Sequence, residues 1–281
     1  MIRLKESIKQ VPPLYNALKT LHSYEKRLAL NFTEKAISNF SNYEILVVFG
    51  MRRSGNHFII NWILEQVYGS SVFFNNINPE KHPYSAYFSE SRIRLMNKSP
   101  RIVLSYEDVS EERLMSGPLL KFLSCREKAH GAQVRFALIL RDPLNLFASR
   151  MQKWPENFEC NSDIKAQVKM YLSHVTISKR ERMTLDGTPV VPVYYNKMLF
   201  DHNERRDVAR KLGINIGDKG MDAVAKYGHG SSFDGVDKTA AALRSDVSKR
   251  WTAFRSDPRF KKIIENNEIQ SIARNMFSID C

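Results

Sequence analysis

The stretch Gly50-Met51-Arg52-Arg53-Ser54-Gly55-Asn56-His57 sets two arginines and a serine between two glycines. It lies between a short apolar run, Glu44-Ile45-Leu46-Val47-Val48-Phe49, and a segment with Phe58, Ile59, Trp62, Ile63 and Val67 on one helical face. A strand, a glycine-bounded turn and a helix in that order wrap backbone N–H groups around a phosphate at the helix N-terminus, where the helix dipole favours negative charge. The glycine spacing is that of a Walker A loop, G-x-x-x-x-G-K-[S/T]. Asn56, however, stands in place of the lysine, and His57 in place of the hydroxyl that would hold Mg²⁺. Such a loop is poorly suited to a metal-dependent nucleoside triphosphatase. Arg52 or Arg53, permanently charged and with forked donors, can bind a terminal oxyanion without a metal. The plainer alternative is a strand–turn–helix whose glycines only make the turn.

A second candidate anion element is Leu140-Arg141-Asp142-Pro143 with Ser149-Arg150 two helical turns further on. Pro143 suits the first turn of a helix and Asp142 its N-cap, so Arg141 leaves the carboxyl end of the preceding strand, the edge where open α/β sheets bind ligands. Either Arg141 and Ser149 share an anion, or the motif is a well-capped helix; the cap exists in both cases.

Arg53-Ser54-Gly55 after one strand, with Arg141-Asp142-Pro143 and Ser149 after a later one, resembles the PAPS-dependent sulfotransferases over roughly residues 43–255. The resemblance implies a P-loop α/β fold. It also implies transfer of a sulfuryl group from 3′-phosphoadenosine 5′-phosphosulfate (PAPS) to a hydroxyl or amine of a small-molecule acceptor, leaving 3′-phosphoadenosine 5′-phosphate (PAP), with no metal. On that reading Arg52, Arg53, Ser54, Gly55, Asn56 and His57 cradle the 5′-phosphosulfate, and Arg141 with Ser149 holds the 3′-phosphate. Arg53 stands where many members have a lysine on the leaving oxygen, and being always charged it stabilises that oxygen without donating a proton. Phe58 matches an aromatic that stacks on adenine, or is a core residue of its helix. Tyr195 matches the tyrosine of a Tyr-Glu-Asp segment beside adenine, although Asn196-Lys197 replaces the acidic pair. Ser231-Ser232-Phe233 resembles a Thr-Ser-Phe segment near the adenine. The Arg-Lys-Gly that closes over the 3′-phosphate is missing, and Lys249-Arg250, before Trp251, is the candidate substitute.

Sulfuryl transfer needs a general base opposite the leaving group and a cation beside it. Many members place a histidine just after the third strand. This chain has Leu104-Ser105-Tyr106-Glu107-Asp108 there, so Glu107 is the first candidate base and Asp108, one residue on, the second. Both carboxylates also qualify as caps for a following helix. His57, His82 and His229 are the remaining candidates.

These residues need a frame. Strands are expected at 44–49, 72–74, 102–104, 136–140 and 190–195, the last weakened by Pro192, with helices at 143–153, 163–183 and 203–212 between them. Alternation of this kind predicts an α/β fold with a central parallel sheet covered by helices on both faces. Residues 1–40 read as a helical extension, 213–240 as a lid or acceptor loop, and roughly 238–278 as a final helical region, all within one domain. Trp154, Phe158, Tyr84, Tyr87 and Phe88 are candidates for an aromatic acceptor pocket.

The chain has 281 residues, 43% of them hydrophobic, and a formal charge of +13, which suits a nucleic acid, an anionic surface or a multiply charged small anion. Basic residues are spread along the whole length with no polybasic tail, so a folded anion site fits better than a tail, and no basic stripe interleaved with aromatics points to nucleic acid. Three scattered cysteines make neither a disulfide framework nor a zinc site. Residues 1–20 carry charges and Pro12-Pro13 where a signal peptide would need an uninterrupted apolar stretch, and no run approaches roughly 18 apolar residues, so a cytoplasmic protein that neither enters a membrane nor binds nucleic acid is expected. The competing reading on the same fold is an atypical P-loop phosphotransferase acting on a small molecule; a glycan-directed sulfotransferase is a further one. Oligomeric state leaves no mark in the sequence.

Overall fold

The computed structural model describes residues 44–67, 71–86, 92–94, 101–180, 188–221 and 249–280. The expected helices of 1–40, Ser232, Phe233, His229 and most of the 213–240 loop lie outside the described residues.

Among the described residues six strands form one sheet: β1 (Glu44–Gly50), β2 (Ser71–Phe74), β3 (Arg92–Arg94), β4 (Arg101–Glu107), β5 (Gln133–Leu140) and β6 (Val190–Tyr194). Their order is β3-β2-β4-β1-β5-β6. All neighbours pair in parallel except β3, which runs antiparallel to β2. The α/β class and parallel sheet are therefore as expected, with β3 an additional strand beyond those expected. Pro192 is tolerated because, among the described residues, β6 pairs only with β5, so its missing N–H falls at a sheet edge.

β1 shows why its apolar run is unbroken. Ile45, Val47 and Phe49 enter one core, while Leu46 and Val48 enter another on the opposite face. The second core is closed by α1 (Asn56–Gln66) and α7 (His202–Leu212), through Ile59, Trp62, Ile63, Val208 and Leu212. The first is covered by α3 (Pro118–His130), α4 (Pro143–Lys153), α5 (Asn161–Lys179), α8 (Pro258–Ile264) and α9 (Asn267–Phe277). Two short helices are α2 (Glu111–Met115) after β4 and α6 (Tyr195–Phe200) after β6.

The final helical region is not continuous. A 3-10 turn at Arg250–Phe254 precedes α8 and α9, whose starts are set by Asp257 and Asn266 accepting from the first-turn N–H groups, with Pro258 at the head of α8. Part of the basic charge is structural: Arg135 donates to Leu212 O at 3.0 Å and Arg101 to Gly213 O at 2.9 Å, satisfying carbonyls at the end of α7. Residues 215–221 then lie along α1, where Trp62 Nε1 donates to Gly217 O, Gln66 Nε2 to Lys219 O and Asn61 Nδ2 to Gly220 O. Among the described residues no helix is long and apolar enough to cross a membrane.

The register sets the site. Gly50 pairs with Glu107 and with Ile139, and Leu140 with Tyr194. The carboxyl ends of four parallel strands therefore share one edge, and the chain leaves it through Met51, Asp108, Arg141 and Tyr195.

Candidate functional site

The loop after β1 begins as a hydrogen-bonded turn, Ser54 N–H donating to Met51 O at 3.1 Å. Arg53, its third residue, has φ 74°, while Arg52 is not in the left-handed region, which is the φ pattern of a type II turn. Glycine normally takes that position. On arginine it costs of order 1–3 kcal/mol and persists only where the surroundings impose it. Gly55 follows at φ 90°, and α1 begins at Asn56.

Two buried arginines supply the restraint. Arg141 donates from NH1 to Arg53 O at 3.1 Å, and Arg150 donates from NH1 to Arg52 O at 3.0 Å. Arg150 is itself fixed by Asp108, donating to Oδ1 at 2.7 Å and to Oδ2 at 3.3 Å. Asp108 Oδ1 also accepts the Arg52 N–H at 2.9 Å. Asp108 has φ 53°, and its own N–H returns to Gly50 O at 3.0 Å. Consecutive carbonyls of the loop are thus held by cations from the β5–α4 unit.

The two candidate anion elements meet. Arg53 Nε donates to Ser149 Oγ at 3.1 Å, and the Arg141 guanidinium lies 5.3 Å from the centre of the Tyr195 ring. Arg53 is held below the ordinary arginine range, first by burial and then by the charges of Arg141 and Arg250, with Glu107 acting the other way. Three guanidinium groups thus crowd one place, and an anion there would relieve both their repulsion and their desolvation.

One buried carboxylate organises the second element. Asp142, fully buried, caps α4 by accepting from Asn145 N at 2.8 Å and Asn145 Nδ2 at 2.9 Å. Across the strand ends it exchanges two bonds with Asn196: Asn196 Nδ2 donates to Asp142 Oδ2 at 2.9 Å, and Asp142 N–H donates to Asn196 Oδ1 at 3.1 Å. The amide of Asn196, directly after Tyr195, is thus paired with a carboxylate on the facing strand end. Asn145 Oδ1 accepts the Trp251 N–H at 3.1 Å, which seats Arg250 close enough to influence Arg53; Lys249 precedes it as an exposed residue.

The two candidate bases differ in their surroundings. Glu107 Oε1 accepts from Asn56 Nδ2 at 2.8 Å, and Oε2 lies 3.5 Å from Arg52 Nε. Asn56, in the Walker lysine position, also donates to Met51 O at 3.2 Å and so ties the loop to Glu107. Asp108 is bound on both oxygens by Arg150. Arg52 extends outward over Trp154, 6.0 Å from its ring centre, and donates to Asn76 Oδ1 at 3.2 Å. His57 faces Asn75, with Nε2 3.3 Å from the amide nitrogen. Phe58 and Tyr195 meet edge to face at 5.7 Å.

The expected acceptor pocket is only partly assembled. Trp154 is half-buried beside Arg52 and Arg150, but Tyr84 and Phe158 are fully buried in the core, Tyr84 stacked on Phe74 at 4.9 Å. They are packing residues because each lies on a short 3-10 turn that folds back onto the core. Tyr87 and Phe88 lie outside the described residues, and His82 packs edge-on against Tyr84 and Phe122. Sequence reasoning missed Arg150, Asn76 and Asn196 as site residues. Only Arg150 carried a signal, as a charged residue on the buried face of α4, and that face is not known before the helix is docked. Among the described residues no group of three or more His, Cys, Asp or Glu side chains is placed to hold a metal ion.

No family model matches the sequence, and no curated protein matches it. Among solved structures the chain is similar to a mouse sulfotransferase crystallised in complex with PAP, at 15% identity over 85% of this chain and 88% of that chain, with a TM-score of 0.45.

Proposed function

We propose that this chain transfers a sulfuryl group from PAPS to a hydroxyl or amine of a small-molecule acceptor. The observation that carries the reading is the convergence of two separately predicted anion elements, with Arg53 Nε 3.1 Å from Ser149 Oγ and Arg141 on the carbonyl of Arg53. A nucleotide with anionic groups at both its 3′ and 5′ positions fits a site with two adjoining cationic ends. A phosphotransferase using Mg²⁺ would want the lysine and hydroxyl that Asn56 and His57 replace.

On this reading Arg141, Ser149 and Arg250 receive the 3′-phosphate, and the turn Arg52–Gly55 at the head of α1 receives the 5′-phosphosulfate. Phe58 and Tyr195 border the adenine. The acceptor oxygen or nitrogen attacks sulfur as the bond from sulfur to the 5′-phosphate oxygen breaks, and PAP departs with the bonding pair. Arg53 neutralises the charge that grows on that oxygen, and Glu107 takes the acceptor's proton. Arg53 has two competing partners in this scheme, Ser149 and the leaving oxygen. Asp108 holds the loop rather than the proton.

Calorimetry with PAP and with ATP, both without metal, tests the reading. PAP is expected to bind and ATP to bind more weakly. Tighter binding of ATP, or a requirement for Mg²⁺, would favour the phosphotransferase. Release of PAP from PAPS in the presence of phenol and amine acceptors then tests turnover.

A further inference from the structure

We propose that Arg150 is a positioning residue that sets the direction of a single peptide unit in the anion loop. In a type II turn the central peptide, here Arg52–Arg53, is rotated by about half a turn from its type I orientation. Because a peptide is planar and trans, its C=O and N–H point opposite ways. The Arg52 carbonyl points to Arg150, which is buried and donates to it at 3.0 Å. The Arg53 N–H is therefore directed away from Arg150. In the type I alternative, which suits an arginine at position 53 better, the carbonyl dipole would take the place of that N–H and face a bound anion with its negative end.

Arg150 is suited to this task by its own restraint. Asp108 holds its guanidinium through two oxygens, and the Trp154 ring lies 5.8 Å from it. Asp108 also accepts the N–H of Arg52, fixing the peptide unit before the one that Arg150 holds. The pair thus orients two successive peptides of the loop. The inference relies on the proposed function only for the identity of the anion.

The first test uses no nucleotide. Backbone carbon shifts of Arg53, measured by NMR on the free protein, are expected to show left-handed values in the wild type and to move toward right-handed values in Arg150→Met. Unchanged shifts would overturn the proposal. The second test is PAP calorimetry with Ala or Gly at position 53. Arg150→Met is expected to weaken PAP about tenfold or more beside Arg53→Ala, but no more than about threefold beside Arg53→Gly, because glycine takes φ > 0 unaided. Equal losses in the two backgrounds would make Arg150 a general structural support and overturn the proposal. A wild type that binds no PAP would remove the sulfotransferase reading, and the shifts of Arg53 would still decide the peptide's direction. If Arg150→Met does not fold, Arg150→Lys, which keeps the charge without the fork, is judged by the same criteria.

Discussion

The ring of Tyr195 occupies the space that a side chain at Gly55 would need: a Cβ there would stand 2.1 Å from Tyr195 Cδ2 and 2.3 Å from Cε2. The same ring is edge-on to Phe58 and beneath Arg141, so the loop after β1 and the turn after β6 close on each other through one contact.

Gly55→Ala therefore meets two obstacles, the clash and a φ of 90°. Together they are expected to destabilise the fold by about 2–4 kcal/mol and to abolish PAP binding. Adding Tyr195→Ala should return part of the lost stability, because it removes the clash and leaves the backbone strain. Urea unfolding of the two single variants and the double variant measures this. A Gly55→Ala protein as stable as wild type would show that the loop and the ring do not pack as described.

Arg141 and Ser149 are expected to separate binding from selectivity. Arg141→Ala removes a buried cation that also holds Arg53 O, and should weaken PAP by about 10–100-fold. Ser149→Ala should lower the preference for PAP over adenosine 5′-phosphate, the same nucleotide without its 3′-phosphate. Competition binding gives that ratio directly. If Ser149→Ala leaves it unchanged, Ser149 does not contact the 3′-phosphate.

Glu107 and Asp108 are adjacent yet should fail differently. Glu107→Gln keeps an acceptor for Asn56 and loses the base, so kcat is expected to fall about 100-fold or more, with PAP affinity nearly unchanged. Asp108→Asn weakens the grip on Arg150 and should reduce PAP affinity as well as kcat. Steady-state PAP release, paired with calorimetry on each variant, separates the two. Transfer by Glu107→Gln at the wild-type rate would move the base elsewhere.

Local sequence carried the frame of this site and little of its wiring. The unbroken apolar run of β1 announced a strand buried on both faces, and the Asp142-Pro143 pair announced the start of α4. Both are signals made by neighbours in the chain. The Asp108–Arg150 and Asp142–Asn196 pairs join residues 42 and 54 positions apart, and nothing local tells that their side chains meet. β3 was hidden for a related reason: three residues, Arg-Ile-Arg, at a sheet edge are too few to show alternation. Tyr84 and Phe158 misled because an aromatic on a short turn serves a pocket or a core equally well until the turn is placed.

His174 supplies a pH dependence of stability rather than of chemistry. It is fully buried, edge-on to Phe49, and its Nε2 lies 2.8 Å from Val109 O, the carbonyl just after the two carboxylates. Nε2 therefore carries a proton as donor, while Nδ1 has no hydrogen-bond partner among the described residues. Burial pushes its pKa below the ordinary 6.5; the bond to Val109 and the charge of Asp108 oppose that shift, and Arg150 adds to it. Below pH 6.5 the unfolded chain accepts a proton that the folded chain refuses, so this stabilisation is complete above 6.5 and is lost as pH falls toward the lowered value. The slope cannot exceed about 1.4 kcal/mol per pH unit for one group. His174→Gln retains a donor for Val109 O and does not titrate, so its unfolding free energy should fall less than that of wild type between about pH 6.5 and about pH 5, above the main carboxylate range. Urea denaturation across that window measures both slopes. Parallel curves for the two proteins would mean that His174 is protonated as readily in the fold as out of it.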